Sequence, residues 1–182
     1  MKISHLYRTV LAAFFVFALF GCSARSDKAP DVSENIRKSL DQAGLRNVKV
    51  SQDRDLAVVT LRGQVNSEDQ KMQAESIASS IAVQQTVADQ ITVAPPGHES
   101  EAKSINSDLD NGIEKNLDAA LIQHRMRRGV KYDVNNSVVT LRGKVNSEAK
   151  RAEAQRIASG VPNVKQVVNE IQVAPRRATA TN

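Results

Sequence analysis

The sequence predicts an α+β protein made of two tandem αββαβ sandwiches, each a three-stranded mixed sheet with two helices on one face. The main observation is an internal repeat: Val58-Val59-Thr60-Leu61-Arg62-Gly63 returns as Val138-Val139-Thr140-Leu141-Arg142-Gly143. The match continues at an offset of 80 residues, 58 to 138, as far as Pro95 and Pro175. Segments of helical and of strand periodicity follow in the same order in each copy, and only a duplicated fold keeps such spacing.

An amphipathic helix opens each copy. Its apolar positions are Val32, Ile36, Leu40 and Ala43 in the first copy and Leu109, Ile113, Leu117 and Ala120 in the second. This alignment has an offset of 77, 36 to 113, so it predicts that the second copy gains three residues between the helix and the hairpin. Gly44 is expected to end the first helix, and the second is expected to run about one turn further.

A hairpin, a second helix and a last strand complete each copy. Alternating apolar residues predict the first strand near 48–50 and 130–134, and β-branched residues predict the returning strand over 56–64 and 137–144. Ser67 and Ser147 are placed to cap the second helix. The apolar positions of that helix and of the last strand are Ala74, Ile77, Ala78, Ile81, Val87, Ile91 and Val93, with counterparts Ala154, Ile157, Ala158, Val161, Val167, Ile171 and Val173. A right-handed crossover would add the last strand to the hairpin.

These elements divide the chain into six parts. They are a signal peptide (1–21), a tether (22–30), a first domain (31–95), a linker (96–107), a second domain (108–175) and a disordered tail (176–182). Domains of this size bury only about 60% of their unfolded surface, so packing between the two copies would add stability, but the sequence leaves open whether they pack together.

The first 21 residues are typical of an export signal, with a basic start and an apolar run over 10–20 that is too short to span a bilayer. The run ends at Leu19-Phe20-Gly21-Cys22, which resembles the lipobox of bacterial lipoproteins apart from Phe20. We expect Cys22, the sole cysteine, to be lipidated. By similarity to enterobacterial lipoproteins, Ser23 directs the protein to the outer membrane, facing the periplasm. The alternative is an ordinary secretory signal and a soluble periplasmic protein.

The two copies differ in charge. The first (31–95) has nine acidic and seven basic residues, and the second (108–175) has eight acidic and eleven basic. The formal net charge of +5 falls to +3 without Lys2 and Arg8, which is too little for a general nucleic-acid-binding protein. Aromatic residues make up 3% of the chain and tryptophan is absent, so surfaces that stack on bases or on carbohydrate are disfavoured.

The motif Val-Val-Thr-Leu-x-Gly-x-Val-x-Ser, the helical Ala-x-x-Ile-Ala and the strand Val-x-x-Ile-x-Val together resemble the BON domain. With its signal peptide and Cys22, the chain is similar to the tandem BON-domain lipoproteins of the bacterial outer membrane. The resemblance implies that the second domain binds anionic phospholipid and that the protein supports envelope integrity.

No catalytic constellation, cofactor site or metal site is predicted. Histidine occurs only at positions 5, 98 and 124, so a nucleophile with a base and an orienting group cannot be assembled. The stretch 108–112 resembles the start of a calcium-binding loop, but Leu109 and Ile113 continue the helix stripe and no glutamate stands at the twelfth position. We therefore expect a non-enzymatic protein.

The sharpest functional candidate is the basic segment 124–128, which follows the first helix of the second copy. The residues predicted to contact anionic phospholipid are Arg125, Met126, Arg127, Arg128, Lys131 and Lys115. In this interpretation Met126 enters the lipid interface. The alternative is a solvated helix end whose cations complement the helix dipole.

Two other functions stay open. One is an adaptor that binds envelope proteins through its sheet or helix faces, with little dependence on salt. The other is sensing of a small ion or ligand, which the association of some BON-domain proteins with potassium implies, although no residues outline such a site.

Overall fold

The computed structural model describes residues 28–174, so the predicted signal peptide, Cys22, most of the tether and the tail lie outside the described residues. The first domain contains α1 (Ser33–Gln42), β1 (Val48–Asp53), β2 (Val58–Val65), α2 (Glu68–Ile81) and β3 (Thr86–Val93). The second contains α3 (Glu99–Gln123), β4 (Val130–Asn135), β5 (Val138–Val145), α4 (Glu148–Ser159) and β6 (Gln166–Val173).

Each domain has one three-stranded mixed sheet. The strand orders are β1-β2-β3 and β4-β5-β6, with the hairpin pair antiparallel and the last strand parallel to the central one. The two helices of each domain bury their apolar stripes on the same face of the sheet, where one core cluster forms per domain. The predicted fold class is confirmed.

The predicted caps of the second helices are confirmed. Ser67 Oγ accepts a hydrogen bond from the Gln70 N–H (3.3 Å), and Ser147 Oγ accepts one from the Lys150 N–H (3.3 Å). Each bond satisfies one of the free N–H groups in the first turn of the helix.

Helix α3 begins earlier than predicted. It starts at Glu99, so nine residues of the segment predicted as linker, 99–107, are helical. Nothing after Gly97 interrupts the helix, and the acidic first-turn residues Glu99 and Glu101 complement its dipole. Helix α3 contacts β3 of the first domain and forms a helical connection between the two domains.

The predicted alignment of the first helices is wrong by one turn. Leu45 N–H donates to Leu40 O, and Met126 N–H donates to Leu121 O (both 2.8 Å), so the helix ends correspond at an offset of 81 rather than 77. The loop that follows is only one residue longer in the second domain, because β1 and β4 correspond at an offset of 82. The basic segment is therefore no three-residue insertion. It occupies the turn that ends α3, which is equivalent to the turn that ends α1 in the first domain.

A glycine near the end of each central strand determines where the loop after the first helix of the domain lies against the sheet. Gly63 and Gly143 have φ of 136° and 126°, and a Cβ added to them would lie 2.1 Å from Asn47 O and 2.3 Å from Gly129 O. No side chain fits at that distance, and other residues rarely adopt such φ values. The loop backbone therefore lies directly against the central strand.

The two copies, whose packing the sequence leaves open, are in contact in the structure. The helix-free faces of the two sheets meet in a buried cluster of Val58, Ala88, Val138 and Val168, with Leu56 packed against it. This contact removes from water the apolar surface that each small domain leaves exposed on its second sheet face.

Hydrogen bonds between the two domains make this contact specific in orientation. Gln166 Nε2 donates to Val87 O (2.7 Å), and Gln166 Oε1 accepts from Asp89 N (3.2 Å). At the tip of the second hairpin, Asn136 Nδ2 donates to Gln90 O (2.7 Å). The two domains are thus joined near the turn between β4 and β5.

Asp110 on α3 supports that turn. Its carboxylate accepts the backbone N–H groups of Asn136 and Ser137, each at 2.8 Å. Both turn residues have positive φ, 50° and 65°, as type I′ hairpins require. The carboxylate in the stretch that resembles a calcium-binding loop is therefore engaged by the hairpin.

We expect Gly143→Ala to lower the free energy of unfolding by about 3 kcal/mol, because the new Cβ would collide with Gly129 O. Urea unfolding followed by circular dichroism measures this change. The matched control is Gly112→Ala in α3, where a Cβ meets nothing within 4 Å and alanine should stabilise the helix by about 1 kcal/mol. Equal effects of the two variants would contradict the close approach.

Candidate functional site

The end of α3 presents one apolar side chain among three arginines. Ile122 is 57% exposed, and a shallow depression is bordered by Ile122, Arg125, Arg127 and Arg128. Ile122 follows the buried Leu121 by one residue, which turns it about 100° away from the core stripe. An exposed isoleucine beside cations is suited to a surface that is both apolar and anionic.

Arg127 is held by the domain itself. Its Nε forms an ion pair with Asp118, and its guanidinium carbon lies 5.4 Å from the centroid of the Tyr132 ring. Tyr132 also donates a hydrogen bond to Asp118 (3.1 Å). Burial, followed by the bond to Asp118, raises the pKa of Tyr132 above its usual range, which keeps the hydroxyl a donor. Arg127 therefore serves the fold as well as the surface.

The predicted insertion of Met126 into lipid is wrong. Met126 is only 7% exposed and belongs to the core cluster of the second domain. It corresponds to Leu45, which is buried at the same turn of the first domain. The apolar side chain available to a membrane at this end is Ile122. Helix periodicity could have indicated it, because Ile122 lies off the stripe of Leu117 and Leu121.

The structure separates the two predicted lysines. Lys115 is exposed on α3, two turns before Ile122 and on the same side of the helix, about 10 Å away along the axis. Lys131 lies on the helix-free face of the sheet beside Arg142, because its neighbour Tyr132 points to α3. Lys115 can extend the arginine surface, and Lys131 lies apart from it.

Arg125 has a backbone conformation that suits glycine. Its φ is 56°, and it occupies the position at which Gly44, with φ of 79°, ends α1. A left-handed conformation costs a non-glycine residue about 1–2 kcal/mol. The second domain therefore places an arginine where the first has the residue that fits best.

The basic end of the second domain, which we define as residues 122–128, lies away from the contact between the domains. The interdomain cluster lies where β5 begins, at Val138, and Arg128 and Gly129 lie where it ends, beside Gly143. The five residue steps from Val138 to Gly143 span roughly 17 Å. This end of the second domain can therefore meet a large surface while the domains stay packed.

Over residues 28–174, no helix has the length and apolar character needed to cross a bilayer. In the same range, no three His, Cys, Asp or Glu side chains come together in a way that could hold a metal ion.

We expect Arg125→Gly to raise the free energy of unfolding by about 1 kcal/mol, because glycine relieves the left-handed conformation. Thermal and urea unfolding measure this gain. The control is Arg128→Gly, an equal loss of charge at a residue outside the positive-φ region, which should give no gain. Destabilisation by Arg125→Gly would show that the arginine side chain itself supports the fold.

The match to a family model agrees with this architecture. The family model of the BON domain matches residues 29–95 and 109–175. The chain is 30% identical over 135 residues to Osmotically-inducible protein Y of Escherichia coli (strain K12), which is 73% of this chain and 66% of that protein, just under two thirds of its length. Two solved structures of CdsD, the structural protein of the type III secretion system of Chlamydia trachomatis, are also similar.

The first CdsD structure has 12% identity and a TM-score of 0.35, with 80% of this chain and 63% of that chain covered. The second, of the C-terminal domain, has 11% identity and a TM-score of 0.33, with 78% and 67% covered. Because both repeats match the family model over most of the chain, this protein belongs to the BON domain family and carries two such domains in tandem.

Proposed function

We propose that this protein is a non-enzymatic lipoprotein of the cell envelope that binds anionic phospholipid through its second BON domain and supports outer-membrane integrity. The observation that carries the proposal is exposed Ile122 among Arg125, Arg127 and Arg128 at the free end of that domain. Its membership of the BON family and its similarity to an osmotically inducible protein support a role in the envelope under stress.

The interaction energy expected of this surface is small. A basic residue near an anionic leaflet contributes about 1 kcal/mol. Arg127 is paired with Asp118, so Arg125 and Arg128 supply about 2 kcal/mol, and insertion of the partly exposed Ile122 adds about 1 kcal/mol. A total of about 3 kcal/mol corresponds to binding weaker than millimolar. The domain alone is therefore a weak membrane ligand.

A lipid anchor at Cys22 would make such weak contacts sufficient. Lys28, where the described structure begins, stands six positions after Cys22, and an extended chain spans about 20 Å over six positions. Tethering confines the domains near the membrane and converts binding into an intramolecular step. We propose that the anchor supplies the affinity and that the basic end sets the orientation on the lipid surface.

We expect the unlipidated mature chain (residues 22–182 with Cys22→Ser) to sediment with phosphatidylglycerol vesicles supplied at about 20 mM lipid, above the weak dissociation constant expected, and not with phosphatidylcholine vesicles at the same concentration. Binding should weaken at high salt, because the screening length falls from about 10 Å at 0.1 M to about 3 Å at 1 M. Arg125→Gln with Arg128→Gln should reduce binding at least ten-fold, as should Ile122→Ser with Arg125→Gln.

The matched control for this experiment is Arg46→Gln with Lys49→Gln, an equal charge loss at the corresponding end of the first domain. Both residues are exposed there. An equal loss of binding in this control would show that net charge, rather than the α3 end, governs the interaction. No binding by the parent chain would favour the adaptor function, for which crosslinking in cells would return one dominant protein partner.

We expect the full-length chain to fractionate with the outer membrane and to incorporate a labelled fatty acid, and Cys22→Ser to lose both properties. Metabolic labelling followed by membrane fractionation measures this. Retention of the label in Cys22→Ser would contradict lipidation at this residue. A labelled protein found in the inner membrane would contradict the sorting expected from Ser23.

A further inference from the structure

A second depression of about 510 Å³ adjoins the arginine surface. It lies between the turn after α3 and the connection from β5 to α4. Arg125 and Arg128 border it on one side, and Lys144 and Lys150 on the other. Among residues 28–174, none of these four cations forms an ion pair. The one carboxylate on the border, Glu153, lies 3.8 Å from a ring nitrogen of His124.

Backbone contacts connect the two sides of this groove. Lys144 N–H donates to Gly129 O (3.2 Å), which joins the end of β5 to the loop that carries Arg128. The Ser147 cap fixes the first turn of α4, where Lys150 lies. The four cations therefore project from backbone positions that the fold holds in place.

The corresponding place in the first domain carries fewer cations. Three positions change from an uncharged to a basic residue between the domains: Gly44 to Arg125, Gln64 to Lys144, and Gln70 to Lys150. Arg128 lies in the loop that is one residue longer in the second domain. Arg125, Lys144 and Lys150 are thus specific to the second copy, whereas the loop that carries Arg128 has the basic residue Arg46 in the first copy.

These changes go against local stability. Gln70 Oε1 accepts a hydrogen bond from Asn66 N–H (2.8 Å), and a lysine at the same place, Lys150, has no acceptor to replace it. A cation in the first turn of a helix is also disfavoured by the helix dipole. Arg125 adds a left-handed backbone conformation. Residues that break local rules together at one surface indicate a binding role.

We infer that this groove binds a single phosphate group, as a phosphomonoester or phosphodiester. Two arginines and two lysines supply charge-assisted hydrogen bonds, and the first turn of α4 lies at the same border. The volume is within the range of ligand pockets. The inference rests on the proposed function in one respect: a phospholipid headgroup is one source of such a phosphate, and a soluble phosphate ester is the other.

The test is a two-dimensional NMR titration of the unlipidated mature chain at constant ionic strength, with chloride as the balancing anion. One arm uses inorganic phosphate, and the other uses dihexanoyl phosphatidylglycerol below its micelle concentration. We expect saturable shifts at residues 125–129 and 144–150. Lys144→Gln with Lys150→Gln, which restores the residues of the first domain, should weaken binding at least ten-fold. It should also raise the Tm of the free protein by about 2 °C.

The control is again Arg46→Gln with Lys49→Gln, which should leave the affinity unchanged. Saturable shifts with either ligand, together with weaker binding by the lysine variant, support phosphate binding in the groove. The ligand that gives saturable shifts identifies the source of the phosphate. The absence of saturable shifts in both arms, or an unchanged affinity in the lysine variant, overturns the inference. Vesicle sedimentation of the lysine variant distinguishes the two proposals. If the groove does not bind phosphate but the proposed function holds, the variant still binds vesicles, because the arginines and Ile122 are unchanged.

Discussion

The close approach of the Gly129 carbonyl to Gly143 is the constraint on which the functional end of the molecule depends. It brings the loop after α3 against the central strand and lets Lys144 N–H bond that carbonyl. The loop can then seat Met126 in the core, and the arginines on either side of it must face solvent. The basic end is therefore a consequence of backbone packing, with the charges carried by positions that the core leaves free.

Packing between the domains determines which surfaces remain available. Each sheet has helices on one face only, and the other faces cover each other through Val58, Ala88, Val138 and Val168. Asn136 and Gln166 add hydrogen bonds at the same place, and α3 contributes a continuous helical connection. Because the contact lies at the start of the central strands, it leaves the opposite end of the second domain open. Small domains gain stability in this way without loss of the surface proposed to bind lipid.

The two copies differ at equivalent positions: the first has residues that favour local stability, and the second has cations. The first keeps glycine in the left-handed turn and a glutamine, Gln70, whose side chain accepts a hydrogen bond from the Asn66 N–H just before its second helix. The second replaces them with Arg125 and Lys150, whose local costs are each a fraction of the total stability of a domain. Since the shared core supplies the fold in both copies, one copy can carry unfavourable residues at its surface. Duplication therefore allows the second copy to carry a charged surface while the shared core pattern maintains the fold.

The sequence by itself determined the fold class, the order of the elements, the caps at Ser67 and Ser147 and the basic character of the second domain, because periodicity and capping are local properties. It could not align α3 with α1, since a 3.6-residue period defines a helix face and leaves the position along the axis open. Tertiary structure alone buried Met126 and separated Lys131 from the arginines. It also brought Lys144 and Lys150 to Arg125, because residues some 20 positions apart meet only when a strand and a helix end at the same edge of the domain.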